Sequence, residues 1–353
     1  MQRLWSLGER GKHAVPRCRN EGMQVVLPIA PIARARYQRR MTQTNDRILL
    51  GTILMLGFCA TAPLIDVAAK LAAQTVPVGQ ITVLRFVVQG LIMLPAVLMT
   101  RNILWPAKGT WGRLFWRSFF LLTSTYCFVA AVRVMPIADA LAIVFVEPFL
   151  LLILGKFLFG DSVGPRRIGA SIVGFVGCVM VIQPSLQVFG LVALYPLGTA
   201  ASFAGYMLVT RSLSRSVHPI SMQFQTSAVS AAIGMPALLL GGWFQIPTLV
   251  PIVPNGLEWV WICGVGLASA VAHMLMTYAL RYAPSATLAP LHYLEIVSAL
   301  ILGYLIFDDF PNLLALIGTG IIIGSGLYVI YRERVTSRDL SVTMPPPGSE
   351  GMA

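Results

Sequence analysis

The chain has 353 residues, of which 56% are hydrophobic and only 11% are charged, and its formal net charge is +12. Soluble domains contain about 25% charged residues, so this composition excludes a water-soluble surface. The positive charge does not indicate a nucleic-acid partner, because ten of the 26 Lys and Arg residues precede Ile48, next to an apolar stretch.

Residues 1–47 form the first predicted segment, a basic tail that we expect to be disordered and cytoplasmic. Bases beside a membrane helix are retained inside and are attracted to anionic lipid. The tail lacks the apolar centre of a cleavable signal peptide. Met41 stands just before the first apolar stretch, which suggests a second hypothesis, namely that residues 1–40 are an over-extended reading frame.

Ten apolar stretches of helix length follow the tail, and a stretch of about 17–25 such residues crosses a bilayer as a helix. They lie near 48–70, 78–99, 113–132, 137–159, 167–183, 189–210, 220–241, 258–280, 285–307 and 312–331. Only helices and closed barrels satisfy the backbone in hydrocarbon, and the alternating pattern of barrel strands is missing. The sequence predicts an all-α integral membrane protein with ten transmembrane helices.

The loops between these stretches predict the orientation of the chain. With the tail inside, the Lys- and Arg-containing loops fall inside, as the positive-inside rule requires, with Arg133 as the one clear exception. The predicted outer loops 183–188 and 242–257 contain neither residue, and the last outer loop is acidic at Asp308 and Asp309. Both termini are therefore predicted to be cytoplasmic, the second as a tail at 332–353.

An internal repeat organises the stretches. Ala131–Asp161 aligns without gaps on Ala279–Asp309. The alignment pairs Arg133, Pro136, Glu147, Gly155, Phe159 and Asp161 with Arg281, Pro284, Glu295, Gly303, Phe307 and Asp309. Residues 48–184 and 189–331 are thus predicted to be two five-helix repeats, and the odd number of crossings inverts one relative to the other. Inverted halves are typical of alternating-access transporters.

The motifs of each half carry a family resemblance. The first half reads Glu147-Pro148, Gly155, Gly160-Asp161, Gly169, Gly174 and Gly177. This doubled arrangement resembles the drug/metabolite transporter superfamily, in particular its EamA-type ten-helix members. The second half departs from the family pattern, since Ile296 follows Glu295 and Asp308-Asp309 replaces Gly-Glu.

The resemblance implies a multi-pass protein of the bacterial inner (plasma) membrane that moves amino acids, related metabolites or drug-like amphiphiles. The segment Asp66-Val-Ala-Ala-Lys70 and the ending LYVIYRER are similar to a subgroup that takes up S-adenosylmethionine. The predicted function is secondary transport, by export or uptake, of a small metabolite such as an amino acid, an S-adenosylmethionine-like compound or a drug-like amphiphile.

Two carboxyl groups are predicted near the middle of the bilayer. Glu147 and Glu295 each lie about ten residues into a span. Charges at this depth are costly and therefore mark functional candidates. They predict either coupling to protons or recognition of a substrate ammonium, and the alternative is a neutral, hydrogen-bonded structural role. His292, three residues before Glu295, shares its helix face and is a candidate proton relay or a packing residue.

A second charged group has no counterpart in the other half. Asp66 and Lys70 share a face of the first helix, while Arg85 and Asp139 lie in the outer parts of the second and fourth. These residues predict an outer-leaflet ion network. Arg85 either binds a substrate carboxylate or pairs with Asp66 as a structural latch, and Lys70 alternatively extends to the outer interface.

Other residues carry weaker signals. His273 is interpreted as a packing residue. Prolines inside the spans are hinge candidates, namely Pro63, Pro148, Pro196 and Pro290. Gly320 and Gly324 predict close helix packing within the bundle, with a homodimer contact as the alternative.

The sequence offers no sign of a metal or cofactor site, since its five cysteines are scattered and it lacks Walker, HExxH and GxSxG motifs. We therefore expect no enzymatic activity, no cofactor and no nucleic-acid partner. The expected partners are a small-molecule substrate, the lipid bilayer and a proton as coupling ion. The competing hypotheses are an intramembrane enzyme acting on a lipid-like substrate and a non-transporting membrane scaffold.

Overall fold

The computed structural model describes residues 29–100, 105–147, 149–150, 153–154, 157, 165–213, 216–282, 291 and 294–343. The chain divides into two units, Met1–Asn45 and Asp46–Ala353. The first contains the beginning of the first helix, and the second contains the helical bundle described below.

The described residues are helical throughout their regular structure and include no strand. The helices are α1 (Ile29–Ala72), α2 (Val78–Met99), α3 (Trp111–Val132), α4 (Ile137–Val144), α5 (Pro165–Phe189), α6 (Tyr195–Leu213), α7 (Pro219–Trp243), α8 (Gly256–Tyr282), α9 (Leu294–Phe307) and α10 (Leu313–Thr343). Gly190–Leu194 forms a 3-10 helix between α5 and α6.

Six stretches of the described residues are long and apolar enough to cross a membrane. They are Leu49–Ala72, Val78–Met99, Trp111–Val132, Ile172–Thr210, Pro219–Trp243 and Gly256–Ala279, and Leu294–Phe307 and Leu313–Ser325 are shorter apolar helices. The prediction of an all-α, multi-pass membrane protein is therefore confirmed. The count of ten spans stays a prediction, since Ile172–Thr210 runs through a region assigned to two spans.

The surface of the bundle is apolar and its interior contains polar groups. Leu91, Leu239 and Leu305 expose 63%, 62% and 71% of their surface, whereas Gln89 and Arg117 are each only 1% exposed. Hydrocarbon solvates the exposed leucines, while polar groups in a bilayer need partners inside the protein.

Glycine allows two helix backbones to approach each other closely. A Cβ atom added to Gly177 on α5 would lie 2.8 Å from the carbonyl oxygen of Gly318 on α10, and one on Gly318 would lie 2.7 Å from that of Gly177. The prediction of close packing at Gly320 and Gly324 is wrong, because a Cβ at either position meets nothing within 4 Å. Both face outward, since helical geometry places them on a different side of α10 from Gly318.

Helices extend into three segments that lie outside the predicted spans. The tail is helical from Ile29, and α10 continues past residue 332 to Thr343. α5 extends through the predicted outer loop 183–188 and ends at Phe189. Gly190 follows with a positive φ of 63°, a conformation that glycine adopts readily and that commonly terminates a helix.

Candidate functional site

A cavity with a volume of about 130 Å³ lies in the centre of the bundle and is partly open to the surroundings. Among the residues that the structure describes, five ionisable ones line it, which are Asp66, Arg85, Glu147, His273 and Glu295. The remaining lining residues are Phe58, Ala62, Ile65, Leu121, Ser124, Thr125, Phe128, Leu141, Val144, Phe145, Thr199 and Phe203. The cavity thus combines charges, hydroxyl groups and aromatic rings, as sites for amphipathic small molecules do.

Four of the predicted site residues meet in this cavity. Asp66 comes from α1, Arg85 from α2 and Glu295 from the beginning of α9, while Glu147 follows α4. All four are less than 9% exposed. Asp66 interacts electrostatically with both Arg85 and Glu295. The structure therefore brings the two central carboxyl groups and part of the predicted outer network into a single site.

Arg85 uses only part of its hydrogen-bonding capacity. Its Nη1 donates to Thr125 Oγ1 at 2.6 Å, and its guanidinium lies 5.2 Å from the ring centroid of Phe86. The Nε atom is buried without a hydrogen-bond partner. The direct ion pair between Asp66 and Arg85 that the latch interpretation requires is not formed in the described residues.

His273 also belongs to this site, although the sequence interpretation made it a packing residue. It lies on α8, lines the cavity and interacts electrostatically with Arg85. Its Nδ1 is buried without a hydrogen-bond partner. A signal was available in the sequence, because any ionisable residue in the middle of an apolar stretch is a candidate for the site.

Lys70 and Asp139 lie apart from the cavity lining. Lys70 forms an ion pair with Asp309 and donates a hydrogen bond to the carbonyl oxygen of Met135 at 3.2 Å. Its Nζ also lies 4.6 Å from the ring centroid of Phe307. Asp139 interacts electrostatically with Lys70 and Asp309. We call Lys70, Met135, Asp139, Phe307 and Asp309 the Lys70 cluster, which replaces the predicted network with Asp66 and Arg85.

A buried arginine that the sequence interpretation missed forms a second cluster. Arg117 on α3 donates to Thr210 Oγ1 at 2.9 Å, to Tyr206 Oη at 2.8 Å and to Thr226 Oγ1. A longer bond of 3.4 Å reaches the carbonyl oxygen of Met222. We call these five residues the Arg117 cluster. The sequence indicated this residue, because Arg117 is a basic residue within the apolar stretch 113–132.

The hinge candidates have mixed outcomes. Pro63 lies inside α1, beside the cavity residue Ala62. Pro196 lies within the apolar span Ile172–Thr210 and is the second residue of α6, where proline disrupts no helical bond. Its role as a hinge stays a prediction. Pro148, Pro290 and His292 lie outside the described residues.

The described residues hold no group of three or more His, Cys, Asp and Glu side chains arranged to bind a metal ion.

Comparison with known proteins identifies the class. The model of the EamA-like transporter family matches the chain twice, over residues 49–183 and 190–332. The chain therefore belongs to the EamA-like transporter family. A solved crystal structure shares the fold with a TM-score of 0.57 and 18% identity, and the match covers 83% of this chain and 99% of that chain.

Named relatives show the range of cargo in such proteins. The S-adenosylmethionine uptake transporter of Rickettsia bellii is 27% identical over 270 residues, which is 76% of this chain and 89% of that protein. The riboflavin transporter of Brucella anthropi is 26% identical over 60% of this chain and 73% of its own length. The pseudopaline exporter of Pseudomonas aeruginosa is 22% identical over 79% and 95%. The prediction of small-metabolite transport is confirmed at the level of class.

Proposed function

We propose that this protein is a secondary transporter of the bacterial inner membrane that carries a charged, amphipathic small metabolite by alternating access. The observation that carries the proposal is the central cavity, to which matched positions of both sequence repeats, Glu147 and Glu295, contribute. A single central site between two related halves is what alternating access uses.

The pairing of helices supports two inverted halves. If α1–α5 and α6–α10 are related by an approximate two-fold axis, the most extensive contacts between the two halves should occur in matching pairs. The contact of α1 with α8 matches that of α6 with α3, and α2 with α8 matches α7 with α3. The contacts α2–α7, α4–α9 and α5–α10 are their own counterparts. All of these contacts occur, which supports ten spans in two inverted five-helix repeats.

The Lys70 and Arg117 clusters supply contacts that can open and close the cavity. Lys70 of the first half contacts Asp309 of the second, and Arg117 of the first contacts Thr210 and Thr226 of the second. Under the predicted topology, Lys70 is near the outer end of α1 and Arg117 near the inner end of α3. Breaking one cluster while the other persists would expose the cavity to one side at a time.

The cargo we propose is a small metabolite such as an amino acid, an S-adenosylmethionine-like compound or a drug-like amphiphile. The aromatic rings and hydroxyl groups of the cavity suit an amphipathic molecule, and the names of the relatives fall within this range. Glu147 and Glu295 are proposed either to carry the coupling proton or to face a substrate cation. With both termini cytoplasmic, the basic loops would lie inside.

Counterflow in proteoliposomes tests the proposal. Labelled amino acids, nucleosides and methylated metabolites are offered at two pH values to vesicles loaded with the unlabelled compound. Saturable counterflow of one of them is expected, and Glu147→Gln and Glu295→Gln are expected to lower its rate or remove its pH dependence. Undiminished, proton-independent rates in both variants would eliminate the role of the carboxyl groups, and no saturable flux of any compound would leave a scaffold as the better account.

A further inference from the structure

We propose that Arg85 binds a carboxylate of the substrate, and that the cavity takes a molecule carrying a carboxylate, a separate cationic group and an apolar or aromatic portion. This inference rests on the proposed transport function. It adds the chemical class of the cargo and the residue that recognises the carboxylate of that cargo.

The first support is the unused donor capacity of Arg85. A guanidinium has five N–H donors, and leaving a buried donor without a partner is costly. Arg85 is 6% exposed and lines the cavity, yet its Nε has no hydrogen-bond partner. The buried Arg117 differs, because its Nε, Nη1 and Nη2 all donate to oxygen atoms of the protein. Arg85 therefore keeps donor capacity beside the cavity that the protein leaves unused.

The second support is the position of the guanidinium. The hydrogen bond from Nη1 to Thr125 holds it against α3 and away from a direct ion pair with Asp66. Both residues line the cavity and interact electrostatically. A planar carboxylate is the natural acceptor for adjacent N–H groups of arginine, since it accepts two parallel bonds.

The third support is the imbalance of charge around Arg85. Three carboxyl residues, Asp66, Glu147 and Glu295, and one arginine are among the described residues that line the cavity. A substrate with only a carboxylate would add to this excess of acids. A substrate that also carries a cation would offset it, and rings such as Phe58 and Phe203 suit both a cation and an aromatic group.

Binding to purified protein tests this inference with two pairs of probes that differ by the carboxylate. The pairs are S-adenosylmethionine with decarboxylated S-adenosylmethionine, and phenylalanine with phenethylamine. We expect the wild-type protein to bind at least one carboxylate probe about 10- to 100-fold more tightly than its partner, as the loss of a hydrogen bond to a charged group predicts.

Arg85→Gln should remove this preference by weakening the carboxylate probe while leaving its decarboxylated partner unchanged, and Arg85→Lys should retain part of it. Arg113→Gln is the matched control, because Arg113 is an exposed residue of α3 that donates to the carbonyl oxygen of Ser212, and it should keep the full preference. The Lys variant keeps a cation at this position, so it remains informative if the Gln variant does not fold.

Three results would overturn the inference. The first is that the wild-type protein binds both members of each pair with equal affinity, or binds neither. The second is that the Arg85 variants lose affinity equally for both members of a pair. The third is that these variants keep the preference of the wild-type protein for the carboxylate probe. Counterflow separates the two proposals. Saturable transport of a compound without a carboxylate refutes the role of Arg85 and leaves transport intact, whereas absence of any saturable transport refutes the proposed function itself.

Discussion

The contact between Gly177 and Gly318 predicts a stability difference that can be worked out from the structure. An alanine methyl at position 177 would lie 2.8 Å from the carbonyl oxygen of Gly318 and 3.0 Å from a methyl carbon of Ile321. A carbon–oxygen contact of this kind settles at about 3.3 Å, so α5 and α10 would have to separate by roughly 0.5 Å. Backbone atoms cannot rotate away, and such overpacking costs about 1–3 kcal/mol.

Gly320→Ala and Gly324→Ala are matched controls on α10, since a Cβ at either position meets nothing within 4 Å. Every Gly→Ala change in a helix gains up to about 1 kcal/mol of intrinsic propensity. This gain cancels in the comparison, so Gly177→Ala and Gly318→Ala should be about 1–3 kcal/mol less stable than the controls.

The assay is thermal unfolding of the purified protein in detergent, followed by size-exclusion chromatography of heated samples. For a chain of 353 residues, a difference of 1–3 kcal/mol corresponds to a midpoint roughly 1–4 °C below that of the controls. If all four variants melt together, the close approach of α5 and α10 does not exist as described. If the controls melt lower, Gly320 and Gly324 carry the contact that the sequence pattern suggested.

Three further predictions concern the polar contacts. Arg117→Gln should lower the free energy of unfolding by about 1–2 kcal/mol, because several interhelical hydrogen bonds are lost. Arg117→Lys should be more stable than Arg117→Gln but less stable than the wild type. Wild-type stability of Arg117→Gln would contradict this prediction. Lys70→Gln and Asp309→Asn each remove one partner of an ion pair, so each should raise the rate at which an impermeant thiol reagent labels a cavity cysteine from the outer side. The double variant should be labelled no faster than either single variant. Additive effects would show that the two residues act separately. Gln80→Leu should speed hydrogen exchange of the Ile252 amide, in the segment between α7 and α8. The Gln80 side chain accepts a hydrogen bond from the backbone N–H of Ile252 at 2.9 Å and donates one to its carbonyl oxygen at 2.8 Å. Unchanged exchange would mean that other contacts hold this segment.

The sequence predicted the membrane class because that class depends on composition and on the length of apolar stretches, which need no tertiary information. It also pointed to Asp66, Arg85, Glu147 and Glu295, since a charge inside an apolar stretch is expensive unless it is used. The structure places these four residues around one cavity.

The partners of each charge could not be predicted, because they depend on how helices rotate and cross. Lys70 and Asp66 share a helix face in the sequence, yet Lys70 reaches Asp309 while Asp66 lines the cavity. The end of α5 was also predicted too early. Apolar residues such as Leu186 and Val188 continue the helix up to Phe189, before Gly190 with its positive φ. The glycine pattern on α10 was assigned to the wrong face, because spacing alone does not say which side of a helix has a neighbour.

The most direct test of alternating access is to label single cysteines in the cavity from each side of the membrane. Ala62→Cys on α1 and Thr199→Cys on α6 place one reporter in each half, in a protein whose native cysteines have been replaced. An impermeant thiol reagent should reach both positions from either side, in right-side-out and in inside-out vesicles, and the substrate found by counterflow should protect them. Labelling from one side only, under every substrate and pH condition, would contradict a cavity that opens to both compartments.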